Sequence, residues 1–300
     1  MMEPHLTLAD LVAPEGVDDF LSNSFGIKPS HYRGSSTRFS SLLPWVELNR
    51  ILEQHRLDDP RVRLIADGSK VPPSAFIAQI VTQRGTVPRL RPEAVRKILG
   101  SGAVLVFDYI DETYSPITTL CDDLSVLLGE YVSANAYIGL KESKGFDLHQ
   151  DGHEVLVLQV HGRKRWEVYG RSASRPPASS VVWEGNLEAG DVLSIPSGCW
   201  HAAQALDEPT LHLTLSIRRR TGLDLLAWLT TELRTNSVLN SPLLAKTSPR
   251  EIRPRLVALT DEIRRQLTPD LFERYLESHR RTIRRRQPFM IPYSDQEVDN

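Results

Sequence analysis

Residues 103–220 consist of short apolar or alternating runs separated by turn-forming residues, and this pattern constrains the fold more than any other feature. Side chains alternate between the two faces of a strand, so runs of this kind predict strands with buried faces. Many short strands divided by Gly, Pro, Ser or Asp favour a double-sheet barrel or sandwich. The runs are AVLVFDYI, SANAYIGL, HEVLVLQVHG, KRWEVYG, DVLSIPSG and TLHLTLSIRRR. A helical insertion, TTLCDDLSVLLGEYV, is predicted between the first two.

Helical signals flank this β region on both sides. The segments LTLADLVAP, VDDFLSNSFG, LPWVELNRILEQHRL and RPEAVRKILGSG predict helices before it, with one strand at RVRLIAD. The segments TGLDLLAWLTTELRTN, SPREIRPRLVALTDEIRRQL and TPDLFERYLESHRRTIRRR predict helices after it. We therefore expect an α+β fold in three parts. These are a mixed α/β lead at 1–100 packing on the core, a mainly β core at 101–220, and a helical region at 221–300.

Charge and cysteine content narrow the classes of function. The 36 basic and 38 acidic side chains give a net charge of −2, so no overall basic field attracts nucleic acid or anionic lipid. Two distant cysteines, Cys121 and Cys199, cannot build a disulfide framework, which fits a reducing compartment. The sequence contains no apolar run of 18 residues and begins without the basic end and apolar stretch of a signal peptide. We expect a soluble cytoplasmic protein.

A possible metal site comes from two separated motifs. In His149-Gln150-Asp151 the imidazole and the carboxylate lie two residues apart, so on a strand they share one face. In GDVLSIPSGCWHAAQAL, His201 follows a Pro-Ser-Gly turn at the edge of an apolar strand. Two histidines and one carboxylate form a facial triad suited to non-haem Fe(II) oxygen chemistry. The ligand types alone do not exclude zinc, and His201 or Asp151 alone could be an ordinary turn or strand-end residue.

The cationic run Gly162-Arg163-Lys164-Arg165-Trp166 adds a third element. Alternation along a strand turns every second residue inward, and we expect Lys164 to point inward as an anchor for an anionic cosubstrate. The alternative is a basic hairpin in which the Lys164 side chain extends outward to solvent.

Together these residues resemble a known family. HQDGHEVLVLQVHGRKRWEVYG followed by GDVLSIPSGCWHAA is similar to the JmjC-type cupins of the ribosomal-oxygenase group. The resemblance covers roughly residues 30–235 and is strongest between 133 and 217. It implies a double-stranded β-helix (jelly-roll) barrel and an Fe(II)- and 2-oxoglutarate-dependent dioxygenase that uses O2 to hydroxylate a protein or peptide side chain.

The resemblance also implies roles for individual residues. His149, Asp151 and His201 correspond to the iron ligands and catalytic centre, and Lys164 to the residue that binds the distal carboxylate of 2-oxoglutarate. Asn135 and Tyr137 match a family segment that lines the cosubstrate pocket, and Ser216 matches a serine near it. His212 and His161 are interpreted as structural or surface residues. The helices after residue 221 correspond to a dimerisation region.

Other functions remain open from the sequence. One is a tailoring hydroxylase that acts on a natural-product peptide or a free amino acid, and another is a demethylase. A non-catalytic cupin that senses a metal or an organic acid is a hypothesis of a different class. Arginine clusters at 218–220 and 280–286 leave contact with nucleic acid or the ribosome open as well.

Overall fold

The structure is a computed structural model that describes residues 6–242, 249–287 and 289. It divides into two compact units. The first contains the described residues up to Arg218 and those from Arg285 onward, and the second is Arg219–Arg284. Among the described residues, no helix has the length and apolar character needed to cross a bilayer.

The strands are numbered in chain order. They are β1 (Ser30–Tyr32), β2 (Val62–Ala66), β3 (Ser69–Lys70), β4 (Ile77–Thr82), β5 (Gly85–Leu90), β6 (Val104–Phe107), β7 (Tyr131–Gly139), β8 (Ser143–Lys144), β9 (His149–Gln150), β10 (Glu154–His161), β11 (Lys164–Arg171), β12 (Val181–Leu187), β13 (Val192–Ile195), β14 (Cys199–Ala205) and β15 (Thr210–Arg218).

The helices are numbered in the same way. They are α1 (Leu8–Val12), α2 (Val17–Asn23), α3 (Trp45–Gln54), α4 (Pro92–Gly100), α5 (Ser115–Leu128), α6 (Gly222–Glu232), α7 (Pro249–Gln266) and α8 (Pro269–Arg280).

Two antiparallel sheets form the barrel. The larger has the order β1-β13-β10-β15-β7-β6-β2-β3, and the smaller has the order β12-β11-β14-β8, with β9 also paired to β14. From β10 to β15 the chain crosses repeatedly from one sheet to the other. Strands β10, β13 and β15 lie in the larger sheet, and β11, β12 and β14 lie in the smaller one. The strand pattern predicted two sheets, the resemblance implied their jelly-roll arrangement, and the α+β fold class is confirmed.

Alternation along the strands of the larger sheet separates two hydrophobic layers. On β10, Leu156 and Leu158 belong to the main core shared with the helices, whereas Val155 and Val157 pack with residues of the smaller sheet. Because both faces of this strand are buried, it reads as a continuous apolar run. The same alternation decides which side chains of the neighbouring strands point into the barrel.

The elements of the lead agree with the sequence patterns. Helices α1 to α4 and strand β2 lie at the predicted segments, and β1, β2 and β3 extend the larger sheet of the barrel. Thr7 caps α1 through a reciprocal capping box with Asp10. The sequence patterns did not reveal β1, β12 or the β4–β5 hairpin, because these strands are short or largely exposed and lack a continuous apolar run.

The helical insertion begins and ends a few residues earlier than the sequence pattern predicted. Helix α5 ends at Leu128 because Gly129 adopts a left-handed conformation (φ 65°) and terminates it. Tyr131 and Val132, which the pattern placed in the helix, instead begin β7.

The unit Arg219–Arg284 is helical. Thr221 caps α6 in a capping box with Asp224, and the Thr268 side chain caps α8. Helix α8 ends at Arg280, several residues before the end of the predicted helical segment, and the described residues from Ile283 onward have no regular structure.

Candidate active site

A cavity of about 290 Å³ opens between the two sheets of the barrel. All seven residues selected from the sequence line it, namely Asn135, Tyr137, His149, Asp151, Lys164, His201 and Ser216. They come from five strands and one connecting loop of the first unit. The structure therefore brings every candidate residue to one cavity.

The three candidate metal ligands meet at one end of the cavity. His149 on β9 is the antiparallel partner of His201 on β14, and their ring centroids lie 4.4 Å apart. Asp151 follows β9, and its carbonyl oxygen accepts a hydrogen bond of 2.8 Å from the Gly198 N–H in the turn before β14. This bond ties the two motifs together. One potential ligand atom from each of His149, Asp151 and His201 lies within 4.8 Å of the others.

Backbone carbonyls fix the tautomers of both imidazoles. His149 Nδ1 lies 2.8 Å from the carbonyl oxygen of Asp147, and His201 Nδ1 lies 3.1 Å from that of Cys199. Since a carbonyl oxygen only accepts, each Nδ1 carries the proton, which leaves each Nε2 with a free lone pair. Metal-binding histidines are oriented in this way, by a hydrogen bond from the nitrogen that does not bind the metal.

The charges at this end also suit a cation. Burial, together with the neighbouring His201, lowers the pKa of His149, so the ring is neutral at pH 7. Burial would raise the pKa of Asp151, but its close contact with His201 and the nearby imidazoles outweigh burial and lower it. The Asp151 carboxylate lies 3.4 Å from His201 Nε2. The group therefore offers a cation one carboxylate and two imidazole nitrogens.

Lys164 lies on β11 with its side chain inside the barrel, and only 3 % of its surface is exposed. The alternative of an outward, solvated side chain is wrong. Within the described parts of the chain, no carboxylate forms an ion pair with Lys164, and burial lowers the pKa of its amine to about 7. A buried amine without a counter-ion, next to a cavity, is suited to an anionic ligand.

Strand alternation brings the other predicted residues to the same cavity. Val132, Ala134 and Ala136 of β7 face the main core, so Asn135 and Tyr137 face the barrel interior. The Asn135 side-chain oxygen accepts a hydrogen bond of 2.9 Å from the Tyr109 N–H. Burial, with the nearby Asp108 and Asp151 charges, raises the pKa of Tyr137 to about 12, so its hydroxyl remains protonated.

Several residues that line the cavity were not among those selected from the sequence. His212, interpreted as structural, stacks on Tyr137 with ring centroids 4.7 Å apart. Burial and the neighbouring Lys164 hold its pKa well below the usual value. His212 Nδ1 and Trp166 Nε1 are buried without a hydrogen-bond partner in the described residues, so the cavity offers unsatisfied polar atoms. A signal was present, because His212 shares one face of β15 with the candidate Ser216.

Arg63, Phe146 and His153 also line the cavity. Arg63 reaches it from β2, where its guanidinium donates two hydrogen bonds, of 2.7 and 2.8 Å, to the carboxylate of Asp108. No local motif marks these three residues, because the pairing of distant strands determines which side chains reach the cavity.

The residues fit both a metal ion and a small dicarboxylate. Three donors on one side of an ion leave further coordination positions open toward the cavity, as in facial triads. At another part of the same cavity lies the buried amine of Lys164, among unsatisfied polar atoms. The three donors can therefore bind a metal ion, and the amine of Lys164 can bind an anionic group of a ligand in the same cavity.

Comparison with known proteins agrees with this geometry. Residues 112–225 match the family model described as the JmjC domain, and this range includes all seven candidate residues. A bifunctional lysine-specific demethylase and histidyl-hydroxylase NO66 from Drosophila persimilis is 30% identical over 234 residues, 70% of this chain and 31% of that protein. Ribosomal oxygenase 1 from Gallus gallus is 38% identical over 120 residues, 34% of this chain and 20% of that protein. The chain thus spans less than a third of either relative.

Solved structures show the same fold. The ribosomal oxygenase YcfD from Escherichia coli matches with a TM-score of 0.59 and 19% identity, covering 94% of this chain and 76% of that chain. A structure of YcfD in complex with cobalt and 2-oxoglutarate matches with a TM-score of 0.58 and 17% identity, covering 88% and 70%. The barrel, the assembled triad and the matching family model lead to one conclusion: residues 112–225 of this chain are a JmjC domain, and they lie in a cupin-type barrel.

Proposed function

We propose that this chain is an Fe(II)- and 2-oxoglutarate-dependent dioxygenase that hydroxylates a side chain of a protein or peptide. The observation that carries the proposal is the triad His149, Asp151 and His201 facing a cavity that also contains the unpaired amine of Lys164. The relatives named as histidyl-hydroxylase and as ribosomal oxygenase support it.

In this proposal the triad is the catalytic centre and holds the iron. The Nε2 atoms of His149 and His201 and a carboxylate oxygen of Asp151 are the donors, each with its lone pair available as described above. Bound Fe(II), with 2-oxoglutarate and O2, supplies oxidative insertion of one oxygen atom into an unactivated C–H bond. The protein keeps the two imidazoles oriented through their Nδ1 contacts, and Asp151 is the single anionic ligand of the three.

The remaining candidates bind the cosubstrate. Lys164 pairs with the distal carboxylate of 2-oxoglutarate, a contact that restores the ammonium form of the buried amine. The protonated hydroxyl of Tyr137 and the amide of Asn135 are placed to donate hydrogen bonds, and Ser216 adds a hydroxyl on the next strand. The rings of Phe146 and Tyr137 both line the cavity, with centroids 6.0 Å apart, and would help to shield the bound cosubstrate from bulk water.

Succinate release tests the proposal directly. Purified protein with Fe(II), 2-oxoglutarate and O2 should form succinate slowly without substrate and faster with it. Asp151→Ala should abolish both rates, because it removes the anionic donor of the triad. Asp207→Ala, at an exposed aspartate whose side chain has no partner among the described residues, is the matched control and should retain the rate. Absence of succinate from the wild-type protein would favour a non-catalytic cupin.

The substrate class has its own test. Intact-mass comparison of candidate proteins and peptides, before and after incubation with the loaded enzyme, should show the addition of one oxygen atom. Loss of a methyl group with release of formaldehyde would instead indicate demethylation. Activity on free amino acids alone would indicate a tailoring hydroxylase.

We also propose the arrangement of the whole chain. Residues 101–220 form the catalytic core, 1–100 a lead that packs on it, and 221–300, part of which lies outside the described residues, a helical region that forms a homodimer in the cytoplasm. Helices α6 to α8 leave large apolar side chains exposed, including Leu223, Leu256, Val257 and Phe272, which supports association of copies. Light scattering separates a 33.9 kDa monomer from a dimer.

Contact with nucleic acid or the ribosome has less support. In the second arginine cluster, Arg281 pairs with Glu277, Arg285 with Asp123, and Arg286 with Asp111 and Asp122. These carboxylates neutralise much of the charge that would attract phosphates. Salt-dependent retention on RNA or ribosomes would show whether the remaining cations suffice.

A further inference from the structure

The β4–β5 hairpin forms a two-stranded sheet of its own, outside both sheets of the barrel. Its base is anchored, because Ile77 is buried and Phe76 accepts a backbone hydrogen bond of 2.8 Å from Arg91. Its far end is open to solvent: Ile80 is 46% exposed and Val81 is 83% exposed. Since neighbouring residues face opposite sides of a strand, this end presents apolar surface on both faces.

The two outer edges of the hairpin differ. Gln83 and Arg84 form a two-residue turn, so the pair that closes it, Thr82–Gly85, is hydrogen-bonded. Moving away from the turn, every second pair of residues is hydrogen-bonded and the pairs between them are not. The hydrogen bond from the Arg91 N–H to the Phe76 carbonyl agrees with this alternation. Gln79, Val81 and Pro88 are then in the pairs that are not hydrogen-bonded, and their backbone groups point outward. Pro88 has no N–H and blocks pairing along β5, whereas Gln79 and Val81 offer N–H and C=O groups along β4.

The β4 edge lacks the usual protection against pairing. The strand IAQIVT contains neither a charged residue nor proline, and four of its six residues are β-branched. Within the described part of the chain, no strand pairs with this edge. An exposed edge of this kind is a template for an added extended strand.

The charge of the hairpin indicates what kind of strand it accepts. Residues 69–92 contain Lys70, Arg84, Arg89 and Arg91 and no acidic residue. Arg89 and Arg91 donate only to backbone carbonyls, and none of the three arginines forms an ion pair with a carboxylate in the described residues. Two copies pairing through this edge would bring these like charges together, which disfavours self-association.

We propose that the outer edge of β4 is a docking site for an extended, acid-bearing segment of a partner protein, which adds as a third strand to the hairpin. Main-chain hydrogen bonds to Gln79 and Val81 hold the segment, and the arginines of the hairpin select for its acidic side chains. This site does not depend on the dioxygenase activity proposed above.

Peptide binding to the full-length protein tests this docking site. The probe is a fluorescent ten-residue peptide that alternates threonine or valine with glutamate, and the comparison peptide carries lysine in place of glutamate. We expect saturable binding of the glutamate peptide, weaker binding of the lysine peptide by about tenfold or more, and slower hydrogen exchange at the amides of Gln79 and Val81.

Variants separate edge pairing from nonspecific attraction. Gln79→Pro removes an outward N–H without breaking a hydrogen bond within the hairpin and should weaken binding about tenfold. Gln79→Thr, which keeps the N–H, is the matched control and should bind as the wild type does. Hydrogen-exchange protection of Ile80 and Val87 in both variants shows that the hairpin remains folded.

Several outcomes would overturn the proposal. These are no binding of the glutamate peptide, equal affinity for both peptides, or unchanged affinity in a folded Gln79→Pro protein. Tighter binding of single-stranded RNA at the same residues would assign the hairpin to nucleic acid instead. A concentration-dependent doubling of mass that Gln79→Pro abolishes would assign it to a second copy of the chain.

Discussion

Two charged side chains in the cavity have different electrostatic environments. Asp151 stays anionic because its close contact with His201 and the neighbouring imidazoles outweigh the effect of burial. Lys164 has no such compensation, and burial lowers the pKa of its amine to about 7. In the unliganded protein the Lys164 amine therefore loses its proton near neutral pH, and a bound anion should restore the ammonium form.

This difference predicts how binding of 2-oxoglutarate depends on pH. Below about pH 7 the Lys164 amine is already charged, and above it the free protein must take up a proton to bind the dicarboxylate. The dissociation constant should therefore rise above pH 7, by up to about tenfold per pH unit. Titration calorimetry from pH 6 to pH 9 measures this slope.

Lys164→Arg provides the control, because a guanidinium stays protonated across this range. Both proteins keep His149 and His201, so the contribution of the imidazoles to the slope is the same in each. We expect a flatter profile for the arginine variant. Equal slopes would mean that Lys164 does not bind the ligand carboxylate.

At the scale of elements, a buried ion network supports the strand that carries Asn135 and Tyr137. Arg286 donates to the Asp111 carboxylate at 2.8 Å and to Asp122 at 2.8 Å. Asp111 is fully buried, and its other carboxylate oxygen accepts a hydrogen bond of 2.8 Å from the Ala134 N–H of β7. A residue near the end of the described chain thus stabilises a strand of the barrel.

Removal of Arg286 should destabilise the first unit. Arg286→Ala leaves the buried carboxylate of Asp111 without its cation, which costs about 3 kcal/mol in free energy of unfolding. Arg280→Ala, at an exposed arginine of α8 whose side chain has no partner in the described parts of the chain, should change this free energy by less than about 0.5 kcal/mol. Urea unfolding followed by fluorescence compares the two variants. Similar stabilities would show that the Asp111 network contributes little.

Sequence patterns predicted the elements whose side-chain pattern is local. The apolar runs of β10 and β15, the capped helices α1 and α6, and the triplet of His149 and Asp151 fall in this class. Residues such as Arg63 and Phe146 could not be predicted, because the pairing of β2 with β6, and of β9 with β14, brings them to the cavity. His212 is intermediate, since the strand was predicted and only its inward face was overlooked.

At the scale of the whole molecule, the barrel brings together candidate metal ligands that are far apart in sequence. His149 and His201 become neighbours only when β9 pairs with β14, so an intact site requires the folded barrel. A ligand that binds only the folded state raises its stability by mass action. Metal binding and thermal stability should therefore be coupled in this protein.

Mn(II), which is stable in air, provides a test of this coupling. At a free concentration a hundredfold above its dissociation constant it should add about 2.7 kcal/mol to the free energy of unfolding and raise Tm. Asp151→Ala should show almost no rise, whereas Asp207→Ala should behave as the wild type does. Scanning calorimetry measures all three, and an equal rise in the Asp151→Ala protein would place the metal elsewhere.

The most direct test is a crystal structure of the protein with Mn(II) and 2-oxoglutarate, using the anomalous signal of manganese to locate the ion. We expect one strong peak within bonding distance of His149, Asp151 and His201, and a 2-oxoglutarate molecule that runs from the ion to the amine of Lys164. A manganese peak away from these three side chains, or a 2-oxoglutarate carboxylate with no contact to Lys164, would contradict the assignment.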